Sequence, residues 1–429
     1  MEMQYDNISV NNFEQCSKCS ICTAYCPVTA VNPIYPGPKH SGPDGERYRL
    51  KDPVFFNEAL KYCLNCKRCE VACPSNVKIG DIIQAARIKY TQGRPKLRDI
   101  MLANTDAMGT MATMVAPLVN FTLSLKPTKF VMGKVLGIAP ERTFPKYASQ
   151  KFISWYRRDA MKRQDVFPKQ LTYFHGCYVN YNNPGQGRCL VAVANALGFG
   201  VKMLEREKCC GVAKISNRLI EEARRDAVIN MASVRHALAD GRGPVVGTSS
   251  TCVFTMRDEY PHLLGIDNSD VRDSITLASK WIFELWESGA VKFVFRPDFR
   301  MKAAYHTPCH MEKLGWTFYS TNLMRLIPGL ELTVLDQNCC GIAGTYGFKK
   351  EMYDYSQAIG AATFKQIRGL NPDYVITDCE TCRWQIEMST GYQTLNPVEV
   401  LARALDLEAT ARANGVDPSW LTVCKNFKP

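Results

Sequence analysis

Cysteine falls in this chain at Cys16, Cys19, Cys22 and Cys26, and again at Cys63, Cys66, Cys69 and Cys73, with Pro27 and Pro74 closing the two runs. Three cysteines at two-residue gaps can wrap one face of a cubane cluster, with backbone N–H groups aimed at its sulfides. The fourth cannot bend back onto the same cube and serves the other one. The expected ligand sets are therefore Cys16, Cys19, Cys22 with Cys73, and Cys63, Cys66, Cys69 with Cys26, for two [4Fe–4S] clusters. Structural zinc is the competing reading. It needs only paired CxxC elements in an isolated tetrahedral site, so two full runs closed by proline favour iron–sulfur.

The chain has 429 residues and 19 cysteines, and a disulfide-rich secreted protein would be another use for so many thiols. The opening residues, Met1 to Asp6, are polar and acidic and do not read as a secretory leader. A reducing cytosol is expected, where clustered cysteines are metal ligands more often than disulfides. The net charge of +12 admits nucleic acid, an anionic membrane surface or an acidic partner. Part of it is local: Lys126 to Arg163 holds ten Lys/Arg against Glu141 and Asp159. No recognition module or aromatic platform accompanies this stretch, which argues against nucleic acid. Just before it, Ala107 to Leu125 is uncharged for 19 residues but contains Pro117 and Asn120. It is marginal as a membrane span and reads equally as an interfacial segment or a partly buried linker with a solvated basic face.

The second half repeats. Phe174-His175-Gly176-Cys177 matches Tyr305-His306-Thr307-Pro308-Cys309, Cys209-Cys210-Gly211 matches Cys339-Cys340-Gly341, and Ser249-Ser250-Thr251-Cys252 matches Cys379-Glu380-Thr381-Cys382, at offsets of 132, 130 and 130 residues. A duplicated unit explains three landmarks at one offset. Each copy alternates β-prone runs with helical patterns. The runs are 170–175, 201–205 and 244–247 in the first, and 303–306, 330–335 and 374–377 in the second. Leu219, Ala223, Ala227, Met231, Val234 and Leu238 form one apolar helical stripe. The expected fold is α+β and multidomain: a helical two-cluster N-terminal domain, then a duplicated α/β domain with parallel sheets. The boundaries read as 1–100, a connector 101–168, repeats 169–300 and 301–405, and a tail 406–429.

Every cysteine landmark of the repeat follows a strand, where open parallel sheets form their sites. The second copy offers Cys309, Cys339, Cys340, Cys379 and Cys382, enough thiols for a third, non-cubane cluster. The sequence leaves open whether it holds one. The first copy offers Cys177, Cys209, Cys210 and Cys252, with Ser249 where the second has Cys379, so its site reads as degenerate. Cys189 and Cys424 fall outside the pattern and read as ordinary thiols. His175, His306 and His310 flank the cysteines; hydrogen bonding to their loops is favoured over metal ligation or proton transfer.

Tandem four-cysteine runs followed by two Cys…CysCysGly…CxxC repeats resemble the iron–sulfur subunits of heterodisulfide reductases and of 2-hydroxy-acid oxidases. Tyr35-Pro36-Gly37-Pro38-Lys39, Gly42 to Arg47, Asn65 to Pro74, Tyr305 to Lys313 and Cys339 to Gly347 are similar, more narrowly, to the family of iron–sulfur C subunits of anaerobic glycerol-3-phosphate dehydrogenases. The resemblance runs from about Phe13 to Leu405. It implies a ferredoxin-type domain and cysteine-rich CCG repeats in a non-catalytic electron-transfer subunit. Flavin-containing subunits A and B would oxidise sn-glycerol 3-phosphate, and this chain would pass the electrons to membrane quinone, menaquinone. It would help anchor the complex peripherally at the cytoplasmic face of the inner membrane. The alternative is thiol/disulfide chemistry at the second repeat. No Gly-x-Gly-x-x-Gly opens a strand–turn–helix here, consistent with a relay chain that leaves the flavin to its partners.

Overall fold

The computed structural model describes residues 10–52, 58–91 and 94–422; Cys424 lies outside them. Two parallel four-stranded sheets organise the molecule. In the first, β1 (Lys169–Phe174), β2 (Phe199–Met203), β3 (Val245–Gly247) and β4 (Ile275–Leu277) lie in the order β2-β1-β3-β4. In the second, β5 (Met301–Tyr305), β6 (Leu330–Val334), β7 (Tyr374–Ile376) and β8 (Thr394–Leu395) lie in the order β6-β5-β7-β8. All neighbours pair in parallel. Helices cover both faces of such sheets, which is why Val245 and Val246, or Val375 and Ile376, are apolar and fully buried.

The expected helical stripe lies on Ile220–Ala239, where Ala223, Ala227, Met231 and Val234 are fully buried and Leu238 is partly so. Glu221 and Glu222 in its first turn face the positive end of the helix dipole. Tyr353–Leu370 is its counterpart in the second copy. The fourth strand of each sheet has no signature in the sequence. At three and two residues, β4 and β8 are too short to show a period.

Strand order reverses at β1/β3 and at β5/β7, which opens a crevice at the carboxyl ends of the strands. The two copies meet there. Ser250 N–H donates to Asp378 O at 2.8 Å, and Asn396 Nδ2 donates to Thr248 O at 2.9 Å. The Asp378 carboxylate is itself fixed by Tyr305 Oη at 2.6 Å and Ser279 Oγ at 2.9 Å.

The N-terminal domain is helical. Ile79–Tyr90 buries Ile79, Ile82, Ile83 and Ala86 against Phe13, Leu60 and Val77. The domain docks on both copies. Arg68 Nη1 pairs with Glu312 at 3.2 Å and Lys313 Nζ with Glu70 at 2.9 Å, while Asn65 Nδ2 donates to Glu259 at 2.5 Å.

The uncharged run of the connector breaks at Val115 into helices Thr105–Met114 and Ala116–Ser124, followed by Lys126–Val135. Among the described residues no helix is long and apolar enough to cross a membrane. One side of the run is fastened to the first copy. Gly109 packs so close to Tyr181 that a Cβ would sit 2.5 Å from the ring, and Asn120 bonds both backbone groups of Tyr147 at 2.8 Å. After β8, Leu407–Ala413 returns to the first copy, where Ala411, Val416 and Leu421 pack on Phe167 and Ala196.

Gly341 has φ +86°, and a Cβ there would meet Ser356 O at 2.0 Å. Gly341→Ala should lower stability by about 2 kcal/mol or more. Gly289→Ala has the same hand of backbone but open space around it, and should cost only about 1 kcal/mol. Denaturation midpoints of the two variants, compared with the parent, test this.

Candidate metal centres

The two N-terminal runs share a backbone pattern that hydrophobicity could not reveal. Lys18 and Ser20 in the first run have φ of 59° and 66°, and Asn65 and Lys67, at the same places in the second, have 55° and 63°. Non-glycine residues avoid this left-handed region at a cost of order 1 kcal/mol or more each. Alternating right- and left-handed residues turns successive N–H groups inward and makes an anion-binding concavity. That concavity and its thiol set suit an anionic iron–sulfur cluster.

The side chains come together in two sets. Burial raises the Cys22 thiol pKa, and Cys16, Cys73 and Cys19 raise it further. Burial pushes Cys26 up to about 12, with Cys66 and Cys63 adding to it. Cys69 is driven well up by burial and by Glu70, Cys66, Cys63 and Cys26. The fourth cysteine of each run thus lies among the first three of the other. Cys19 is exposed, whereas Cys26 and Cys69 are buried. Behind the second set the Lys67 ammonium is buried against Asp81 and Glu70, and Glu70 also accepts the Gly80 N–H at 2.9 Å.

In the second copy all five thiols converge. Cys340 Sγ lies 3.3 Å from Cys382 Sγ. Hydrogen bonding to Cys339 and to Cys66 drives the Cys309 thiol well up. Hydrogen bonding from Cys382 lowers Cys379 to about 5, and Thr251 Oγ1 of the first copy touches its sulfur at 3.4 Å. Gly341 N–H donates to Cys339 Sγ at 3.4 Å. The Cys66–Cys309 contact sets this site directly against the second N-terminal set. Arg142, one of the ten cations of the basic stretch, is buried here instead. Its guanidinium stacks on Phe348 at 4.8 Å and donates to Gln385 at 2.5 Å, with Cys340 close enough to raise its pKa against the burial that lowers it.

The first copy gathers four thiols. Cys209 Sγ lies 3.8 Å from Cys177 Sγ, and Cys210 is hydrogen-bonded to both Cys209 and Cys252. Ser249, in the place of Cys379, accepts the Cys252 N–H at 3.4 Å and serves as a helix cap. Asp106 from the connector accepts the Cys209 N–H at 2.8 Å. Neither Asp106 nor Arg142 carries a sequence signal, because each reaches its site from more than a hundred residues away.

The histidines divide. His310 stacks on Phe254 and bonds Thr251 Oγ1 through Nδ1 at 3.3 Å and Asn65 O through Nε2 at 3.1 Å. A carbonyl only accepts, so Nε2 carries the proton. His175 likewise bonds Gly176 O through Nδ1 at 3.0 Å. His306 instead lies with Cys340 and Cys382. Cys189 sits inside the helix Pro184–Ala196, bonded to Gly185 O at 2.8 Å, away from every site.

Comparison with known proteins matches residues 12–77 to the family described as 4Fe-4S dicluster domain, and residues 171–257 and 303–387 to the family described as cysteine-rich domain. The chain is 55% identical over 394 residues to the C subunit of anaerobic glycerol-3-phosphate dehydrogenase of Escherichia coli (strain K12), covering 92% of this chain and 99% of that one. It is 24% identical to the glycolate oxidase iron-sulfur subunit of the same organism, covering 92% and 94%. With the B subunit of fumarate reductase (CoM/CoB) of Methanothermobacter marburgensis it shares 23%, covering 90% and 70%.

Arg68 and Glu312 are both nearly buried where the N-terminal domain meets the second copy. Arg68→Met strands the Glu312 carboxylate and should cost about 3 kcal/mol, while combining it with Glu312→Met should recover most of the loss. Urea denaturation of the single and double variants measures the difference.

Proposed function

Because the chain belongs to the family of anaerobic glycerol-3-phosphate dehydrogenase C subunits, we propose that it is the iron–sulfur electron-transfer subunit of such a complex. It takes electrons from flavin-containing subunits A and B as they oxidise sn-glycerol 3-phosphate, and passes them to membrane menaquinone. The observation that carries this reading is the succession of thiol sets, the first two sharing one apolar cluster. It runs from exposed Cys19, through the set containing Cys66, to Cys309 and the rest of the second copy. When bound there, iron–sulfur clusters supply one-electron transfer without proton chemistry of their own.

The residues have separable tasks. Cys16, Cys19, Cys22 and Cys73 would hold one [4Fe–4S] cluster, and Cys63, Cys66, Cys69 and Cys26 the other. Exposed Cys19 brings the first set to the surface, where a partner subunit can approach. Cys66 and Cys309 touch, so no layer of side chains separates the second set from the repeat. Cys309, Cys339, Cys340, Cys379 and Cys382 would hold a third, non-cubane centre. Cys177, Cys209, Cys210 and Cys252 form a weaker one. Thiol/disulfide turnover needs an accessible sulfur. Cys339, Cys340, Cys379 and Cys382 are all buried, which counts against that alternative.

Attachment to the cytoplasmic face of the inner membrane falls to the connector. Met111, Met114, Leu118, Phe121, Phe130, Val131 and Val135 all stand more than half exposed. Lys126 and Lys134 lie among them, also exposed. Apolar side chains flanked by cations suit a surface of anionic lipid, which the chain would enter without crossing.

Iron and acid-labile sulfide on anaerobically purified protein should come to about twelve of each per chain, against about eight if only the N-terminal sets are loaded. Cys340→Ser should abolish one EPR signal and leave the two cubane signals. Zinc in place of iron would overturn the relay. Leu118→Asp with Phe121→Asp should weaken sedimentation with anionic vesicles about tenfold or more, leaving the iron content unchanged.

A further inference from the structure

His306 follows β5 directly, and its backbone N–H donates to Ile376 O at 2.9 Å. The side chain is then committed to the interior, where it is 0% exposed. Among the described residues neither Nδ1 nor Nε2 has a hydrogen-bond partner. A neutral imidazole carries one N–H donor and one lone pair, and leaving such groups unmet in the interior is costly. What it faces is sulfur. A ring nitrogen of His306, Cys340 Sγ and Cys382 Sγ all lie within 4.8 Å of one another, and the two sulfurs are 3.3 Å apart. Three donors this close suit one shared metal ion.

The first copy supplies an internal control. His175 holds the equivalent position, but its Nδ1 is taken up by Gly176 O at 3.0 Å, with Glu207 beside it. The carboxylate lies 3.0 Å from Nδ1 and accepts the backbone N–H groups of His175 and Gly176 at 3.2 and 2.7 Å. Counted back from the paired cysteines, the second copy has Gln337 where the first has Glu207, and Gln337 is exposed. His310 is no rival for the role, because both its nitrogens are engaged. One copy engages its histidine ring with a carbonyl, and the other has left both ring nitrogens open toward two thiols.

We infer that His306 is a metal ligand. Its imidazole nitrogen, with the thiolates of Cys340 and Cys382, holds one iron of the centre in the second copy, which is therefore a mixed nitrogen–sulfur site and not an all-cysteine one. The inference rests on the reading that this copy binds an iron–sulfur centre. A neutral nitrogen contributes one negative charge fewer than a thiolate, so the site accepts an electron more readily. Histidine in place of cysteine raises cluster potentials for that reason.

The test uses the full-length chain, purified anaerobically and labelled with nitrogen-15 in histidine only, with pulsed EPR of the signal assigned to the second copy. A strong histidine-nitrogen coupling is expected in the parent, in His175→Gln and in His310→Gln. It should vanish in His306→Cys, whose potential should shift downward as the site becomes all thiolate. If His306→Cys fails to assemble, retention in the other two variants still assigns the coupling to His306. About twelve irons with no strong coupling in the parent would overturn the ligand assignment and leave the third centre standing. About eight irons would overturn both.

Discussion

Sulfur buried against sulfur is the constraint to which the rest of this structure answers. Cys22, Cys26, Cys69, Cys309 and Cys340 are each pushed above the ordinary thiol range by burial or by contact with the next cysteine. Several thiolates cannot share one dry pocket unless a cation sits among them. A metal core removes the conflict, and because its ligands must first lose their protons, the energy of binding becomes energy of folding. The elements that carry the cysteines fit this picture. Ile21–Ala24 and Arg68–Val71 are four-residue helices, each entered through a left-handed residue, and have little stability of their own.

Duplication set the same constraint twice, and the two copies answer it differently. Both sheets have one order, and both bring a cysteine from each of three strand ends into one crevice. The first copy has Ser249 in place of a sulfur, its hydroxyl spent on capping Cys252 N–H, and bonds the His175 ring to Gly176 O. The second keeps Cys379 and leaves His306 facing thiols. Of the two changes, only the first alters a donor, since a hydroxyl is a poorer ligand for iron than a thiolate.

Spacing makes much of this legible in the chain itself. The cysteine runs, the fixed offset of the repeat and six of the eight strands are local patterns, and local patterns survive in a sequence. The two strands that leave no trace are too short to have a period. The exchange of the fourth cysteine between the runs is legible because it follows from how far a chain can bend. The histidines are not separable, since His306 and His310 both flank Cys309 within three residues and differ in what folds back onto them. Arg142 is hidden for a related reason. Among ten basic residues nothing marks the one that will be buried by Phe348 and Gln385, more than two hundred positions later.

The connector sends a different charged side chain into each crevice. Asp106 places its carboxyl group on the backbone of Cys209, and burial with Cys209 alongside holds its pKa up to about 6. Arg142 places a guanidinium near Cys340. An electron arriving at either crevice adds negative charge in surroundings that screen poorly. The carboxyl groups of Asp106 in the first crevice and Asp378 in the second oppose that charge, and among the described residues only the second crevice sets a buried guanidinium against it. The second copy also touches Cys66 through Cys309, whereas the first meets its neighbour through Thr251 and Cys379. Two nearly identical folds thus differ in what they present to the N-terminal domain: the second sets a thiol against Cys66, and the first does not.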